Sequence, residues 1–136
     1  MLKDSFYTVQ EVQESTSSLI KATIRLNMEH HIFGGHFPAQ PVVPGVCMLQ
    51  IIKECLEGAG QQRIQLTKSH NIKFLTMLIP TEHEVIDVRI NFESSENGIL
   101  VSEATMLAGA VRFIKMQQVY YARLITSSYP NTSAAL

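Results

Sequence analysis

The sequence predicts an α+β protein in which a curved antiparallel sheet of about six strands wraps around one long central helix. Three observations lead there. Apolar and polar residues alternate with a period of two over several segments, which is the mark of half-buried strands. A single run, Val46 to Glu57, is apolar on most sides and carries charge only towards its end, as a buried helix of about three turns would. A cluster of turn-forming residues, Ser94-Ser95-Glu96-Asn97-Gly98, separates two alternating runs and predicts a hairpin.

In chain order, Phe6 to Val12 is the first strand. In the second, Ile20, Ala22, Ile24, Leu26 and Met28 alternate with Lys21, Thr23, Arg25 and Asn27. Pro38, Pro41 and Pro44 make the next passage an irregular, semi-rigid loop, because proline fixes φ and donates no backbone hydrogen bond. Pro44 suits the first helical turn, and Gly58-Ala59-Gly60 is an ordinary helix terminator. Ile64 to Ile79 supplies a third strand. Ile86, Val88, Ile90 and Phe92 alternate with Asp87, Arg89, Asn91 and Glu93 in a fourth, and Ile99 to Leu107 forms a fifth across the hairpin. The last runs from about Val111 to Leu124, with Ile114, Met116, Tyr120, Ala122 and Leu124 expected on one side. Residues 1–136 read as one domain without repeat or linker, and 127–136 as a flexible tail.

Composition narrows the function classes. A chain of 136 residues with 46% apolar content is globular in type, and small domains of this kind often complete their core by oligomerising. A net charge of -1, with eleven scattered Lys and Arg, makes no electrostatic case for nucleic acid or an anionic membrane. Met1-Leu2-Lys3-Asp4-Ser5 lacks the pattern of a signal peptide, and no apolar run approaches the roughly 18 residues of a membrane span, so a cytoplasmic protein is expected. Cys47 and Cys55 lie about 12 Å apart on the helix, too far for a disulfide, and read as buried free thiols. A helix N-terminus can lower a thiol pKa, which leaves a functional role for Cys47 open.

One passage speaks about chemistry: Phe33-Gly34-Gly35-His36-Phe37-Pro38-Ala39-Gln40-Pro41-Val42-Val43-Pro44-Gly45-Val46. It aims a histidine at the start of the helix. These residues resemble the active-site signature of the β-hydroxyacyl-(acyl carrier protein) dehydratases, which have the hot-dog fold. Ile72-Lys73-Phe74-Leu75 through Ile79-Pro80 is similar to the strand and turn that follow the helix in that family. The resemblance implies that His36 is the base, removing the proton next to a thioester carbonyl, and that the Gly45 backbone N–H is the oxyanion donor. The free N–H groups and dipole of a helix start favour negative charge independently. For His36 the alternative is a structural or solvent-facing residue; for Gly45 it is a tight turn.

The sequence departs from the family at one position. The helix acid expected fourteen residues after His36 is Gln50, and an amide has no titrating proton near neutrality. Positioned proton transfer is worth a factor of about 10² to 10⁴, so its loss is serious. Gln50 either faces the acyl pocket or bonds a buried backbone group. Glu54, one turn on, is either a displaced acid or a solvated residue. Phe37, Pro38, Val46 and Glu54 are the candidate substrate-binding positions. His30, His31 and His36 invite a metal reading, opposed by the expectation that adjacent strand histidines point to opposite faces; His70 and His83 are isolated. No glycine-rich phosphate loop or nucleophile elbow occurs, and no cofactor or metal is expected.

The leading expectation is a dehydratase acting on 3-hydroxyacyl thioesters of acyl carrier protein or coenzyme A, in fatty-acid-like or polyene synthesis. The second is a non-catalytic or partner-dependent acyl-thioester-binding subunit, and the third an acyl thioesterase. The family's shared sites imply a homodimer or higher oligomer, or a heterodimer in which an acid-bearing relative completes the site.

Overall fold

The computed structural model describes residues 1–35 and 40–125. The elements are β1 (Tyr7–Ser15), β2 (Leu19–Leu26), α1 (His31–Gly35), α2 (Gly45–Gly60), β3 (Ile64–Phe74), β4 (Val85–Ser95), β5 (Gly98–Ala108) and β6 (Val111–Arg123). All six strands join one antiparallel sheet in the order β1-β2-β4-β5-β6-β3, and the expected hot-dog arrangement of a curved sheet around one long helix is what forms.

The alternation read in the sequence places the core. Ile20, Ala22, Ile24 and Leu26 of β2 and Ile86, Val88, Ile90 and Phe92 of β4 are all buried, with Ile20, Ala22 and Ile24 directly opposite Ile90, Val88 and Ile86. Met28 falls beyond β2 and is partly exposed. Against this face α2 buries Cys47, Met48, Ile51, Ile52, Cys55 and Leu56. The helix continues through Gly58 and Ala59 and ends at Gly60, within the expected Gly58-Ala59-Gly60 terminator. Glycine weakens a helix but keeps its N–H, so the ladder continues. The left-handed residue that ends it is Gln61, at φ 51°, whose N–H bonds the Glu57 carbonyl.

The expected face of β6 is half right. Ile114 and Met116 are buried, but beyond them Val119 and Tyr121 turn inward in place of Tyr120, Ala122 and Leu124. The cause is a line of irregularities across three strands. Ser102 is an extra residue in β5 opposite the Asn91/Phe92 step, Gln118 of β6 has φ 53°, and Thr67 is an extra residue in β3. The Ser102 and Thr67 hydroxyls donate to the carbonyls of Asn91 and Tyr120, each at 3.1 Å. Each bulge reverses the inward phase and bends the strand, which lets the sheet curve around α2.

Two buried carboxylates fasten the helix. Glu57 accepts the Ile64 N–H at 2.9 Å, tying the helix end to the first residue of β3. Burial, and secondarily the charge of Glu57, push the Tyr121 phenol up to about 12. Glu54 holds the N-terminal segment, as described below. No helix of the described residues is long and apolar enough to cross a membrane. The tail expected at 127–136 lies outside the described residues.

The hairpin depends on Gly98. Its φ is +140°, and a Cβ there would stand 2.2 Å from the Tyr121 carbonyl oxygen. Gly98→Ala should therefore lower unfolding free energy by about 2 kcal/mol or more, read from the denaturant midpoint. Wild-type stability in that variant would show that the strand relaxes without cost.

Candidate functional site

The approach to α2 is stiffened by Pro41 and Pro44 and pinned where the Val43 N–H bonds the Leu78 carbonyl at 2.9 Å. Pro44 sits at the N-cap in extended conformation, rather than within the first turn, and its carbonyl accepts from Cys47 and Met48 at 3.0 and 3.3 Å. No side chain caps this end and its first turn carries no acid. Among the described residues, the N–H groups of Gly45 and Val46 meet no acceptor. Their partial positive charge is left for a ligand oxygen.

Gly45 is helical and not part of a tight turn. Its lack of a side chain has another use, because a Cβ would meet the Phe74 ring at 2.8 Å. That ring covers the helix start. Around it opens an apolar groove of about 580 Å³, whose walls include Val42, Val46, Leu49, Phe74, Met77 and Leu78. Val46 is 73% exposed on its rim. Free amides beside an apolar trough suit a carbonyl oxygen attached to an alkyl chain.

Gln50 is half-buried, and its partner is neither a backbone group nor solvent alone. Its Nε2 donates to Glu54 Oε2 at 2.7 Å. Glu54 is only 2% exposed, so the solvated reading of this residue fails. Its Oε2 also accepts the Leu2 N–H at 2.7 Å, and its Oε1 accepts the Lys3 N–H at 2.8 Å and the Tyr7 hydroxyl at 3.0 Å. Four donors fill the lone-pair sites of one carboxylate. Tyr7 and the Leu2–Lys3 backbone escaped the sequence reading, for they lie 47 to 52 positions from Glu54 and no local pattern links them.

Burial raises the Cys47 thiol pKa, which removes the basis for a reactive thiolate there, and lifts Cys55 to about 12. Both are buried free thiols, as expected. His30 and His31 are not in a strand; their rings stack at 4.3 Å. His30 Nδ1 accepts the Ile32 N–H at 3.1 Å and so caps α1, the element that leads into His36. Burial, then the neighbouring His31, lower the pKa of His30. Among the described residues no group of three His, Cys, Asp or Glu is placed to hold a metal. His36, Phe37 and Pro38 lie outside the described residues.

The ApeI-like family model, described as ApeI dehydratase, matches residues 10–112, a span that includes both helices, most of β1 and all of β2 to β5. A 3-hydroxyacyl-(acyl-carrier-protein) dehydratase FabZ of Fusobacterium nucleatum is 23% identical over 111 residues, covering 74% of this chain and 79% of that one. The FabZ of Idiomarina loihiensis is 27% identical over 105 residues, covering 69% and 68%. Among solved structures, the dehydratase heterocomplex ApeI:P from Xenorhabdus doucetiae aligns with TM-score 0.62 at 16% identity, covering 85% of this chain and 96% of that one. A hypothetical thioesterase with coenzyme A from Streptococcus pneumoniae aligns with TM-score 0.60 at 8% identity, covering 87% and 85%. Both likenesses concern the fold.

Two outcomes test this geometry. Tyr7→Phe removes one charge-assisted hydrogen bond and should cost about 1.5–3 kcal/mol in chemical unfolding; an unchanged midpoint would mean that Glu54 does not depend on the phenol. For His30, the lowered pKa means that the folded state prefers the neutral ring. Its contribution is complete above the unfolded value of 6.5 and is lost as pH falls through the folded one. Stability should drop as pH falls through and below 6.5, and His30→Asn, which can cap without titrating, should remove that part of the drop.

Proposed function

The chain belongs to the ApeI-like dehydratase family, and from that membership we propose that it is a dehydratase-type subunit for 3-hydroxyacyl thioesters, with its proton donor supplied by a second subunit. The observation that carries the proposal is the pair of unpartnered N–H groups at the start of α2, opening on an apolar groove. The thioester carbonyl sits against Gly45 and the acyl chain lies between Val46, Leu49 and Phe74. His36 takes the proton from the carbon next to the carbonyl, and negative charge grows on an oxygen already facing the helix terminus. The double bond forms as the C3–O bond breaks, and the departing hydroxide needs a proton.

Neither Gln50 nor Glu54 of this subunit is suited to give that proton. Gln50 carries none to give, and the Glu54 carboxylate is held by four donors of its own. A relative bearing an acid at the helix would supply it, and the dehydratase heterocomplex that shares this fold supports such an arrangement. The edge of β3 supports it too. It pairs with no further strand among the described residues, and Leu66, Phe74, Leu75 and Met77 stand 43 to 60% exposed on or beside it. A second subunit docked there would cover an otherwise hazardous edge. The acyl carrier is acyl carrier protein or coenzyme A, and the setting is fatty-acid-like or polyene synthesis in the cytoplasm.

The test is hydration of a trans-2-enoyl thioester by the purified chain, beside Gln50→Glu and the double variant that adds His36→Ala. In Gln50→Glu the new carboxyl stands against that of Glu54. The substitution restores a carboxylic acid at the helix position where the resemblance expects one. Wild type alone should be near background, Gln50→Glu at least about 10²-fold faster, and the double variant silent again. Wild type as fast as Gln50→Glu would sink the need for a second subunit. Release of free acid instead of hydration would point to a thioesterase.

A further inference from the structure

We propose that Glu54 is a positioning residue that locks the Gln50 amide with its carbonyl oxygen outward, making position 50 a hydrogen-bond acceptor that selects 3-hydroxyacyl thioesters over acyl thioesters lacking the hydroxyl. This rests on the thioester reading above and adds which end of the substrate Gln50 recognises.

The two ends of an amide side chain differ little in shape, but its partners here decide which way it points. Two of the groups on Glu54 are backbone N–H groups, which can only donate, and a third is the Tyr7 hydroxyl. A carboxylate surrounded in this way accepts from every side, so the amide facing it must present its NH₂. That is the observed bond, Nε2 to Oε2 at 2.7 Å. The opposite end is then fixed: Gln50 Oε1 accepts no hydrogen bond among the described residues and stays open to solvent. A neutral acceptor held outward by a buried charge is a directed recognition group.

Its place on the helix suits the substrate. Val46, Gln50 and Glu54 follow one another at four-residue steps on one strip of α2, and Val46 borders the groove. Four residues advance about 6 Å along the axis. A thioester whose carbonyl oxygen takes a free amide at the helix start, and whose chain follows this strip of α2 beyond the groove's rim at Val46, brings its third carbon towards position 50, where a hydroxyl hydrogen meets Oε1. The saturated and enoyl chains have no hydrogen to offer there, and they leave that acceptor to water. This is selection by an acceptor, whereas a carboxylic acid at this position would donate. It also gives Glu54 a purpose beyond holding the N-terminal segment.

The experiment measures binding of a 3-hydroxyacyl thioester and of the saturated thioester of equal length by calorimetry, with the full chain and with Gln50→Met and Glu54→Gln. The wild type should prefer the hydroxyacyl form about fivefold to tenfold, the range of one neutral hydrogen bond. Gln50→Met should bring the ratio to about one. In Glu54→Gln, the amide now at 54 can turn its own NH₂ towards Gln50 and reverse it, so the ratio should fall likewise. Should Glu54→Gln fail to fold, the wild type still decides: one Gln50 side-chain N–H signal in a ¹⁵N spectrum, identified by its loss in Gln50→Met, should be shifted downfield by its carboxylate partner. A wild-type ratio near one with the saturated thioester still bound, or an unshifted amide signal, would overturn the proposal and leave the groove reading standing. Failure of both thioesters to bind would overturn the groove reading and this proposal together.

Discussion

Much of the molecule hangs on one carboxylate. Burying the charge of Glu54 costs several kcal/mol by itself, and the structure offsets it with four donors drawn from three places: the N-terminal backbone, the first residue of β1 and the preceding turn of α2. The same bonds that make the charge tolerable pin an edge strand and the chain's first residues to the central helix. Glu57 repeats the device one turn later, at the passage into β3. The helix is thus fastened to both edge strands of the sheet by side chains that a purely apolar core would lack. Removing either acid would leave the backbone groups it serves without their partner, fully buried at Ile64 and part-buried at Leu2 and Lys3.

This constraint shapes the chemistry available. A carboxylate committed to holding the fold is a poor proton donor, because its lone pairs are engaged and giving it a proton would forfeit a bond that keeps it buried. The catalytic opportunity therefore moves to the other end of the helix. There, among the described residues, nothing is committed: Pro44 offers no side-chain cap, Gly45 offers no side chain at all, and the amides of Gly45 and Val46 stand beside an apolar groove. The omission of a cap costs helix stability on the order of 1 kcal/mol. A ligand oxygen at that position would recover it.

The sequence revealed the sheet better than the site, for physical reasons. In β2 and β4 one face meets the core and the other meets solvent without interruption, so period two survives and the buried residues are those expected. In β6 the irregularity at Gln118 reverses the phase, and a bulge leaves no composition signal in a single strand. The helix end falls within the expected Gly58-Ala59-Gly60, although the left-handed cap is Gln61 and no glycine. His30 and His31 were assigned to strand geometry that the turn before α1 does not have. The helix start at Gly45 was legible from the Pro-Gly step, but of the groove's walls only Val46 was named as substrate-binding, because Leu49, Phe74 and Met77 meet there through the fold and not through a local pattern. The engagement of Glu54 was not, because its partners come from the far N-terminus. His36, Phe37 and Pro38 were named from their motif, and they lie outside the described residues.

The exposed groove and the free β3 edge belong to one argument. Phe74 and Met77 both line the groove and stand more than half exposed, as does Val46 on the facing helix. An apolar trough open on that side binds an acyl chain weakly, since the chain would bury only one of its faces. The same residues continue into an edge strand whose backbone groups face outward among the described residues. One added subunit would meet both needs, pairing the edge and roofing the groove. It would also bring a proton donor towards Gln50 from outside the Glu54 cluster. Oligomer formation, chain binding and the missing acid then become a single requirement, and a partner that satisfied one of them while leaving the others unmet would not explain why the apolar surface is gathered where it is.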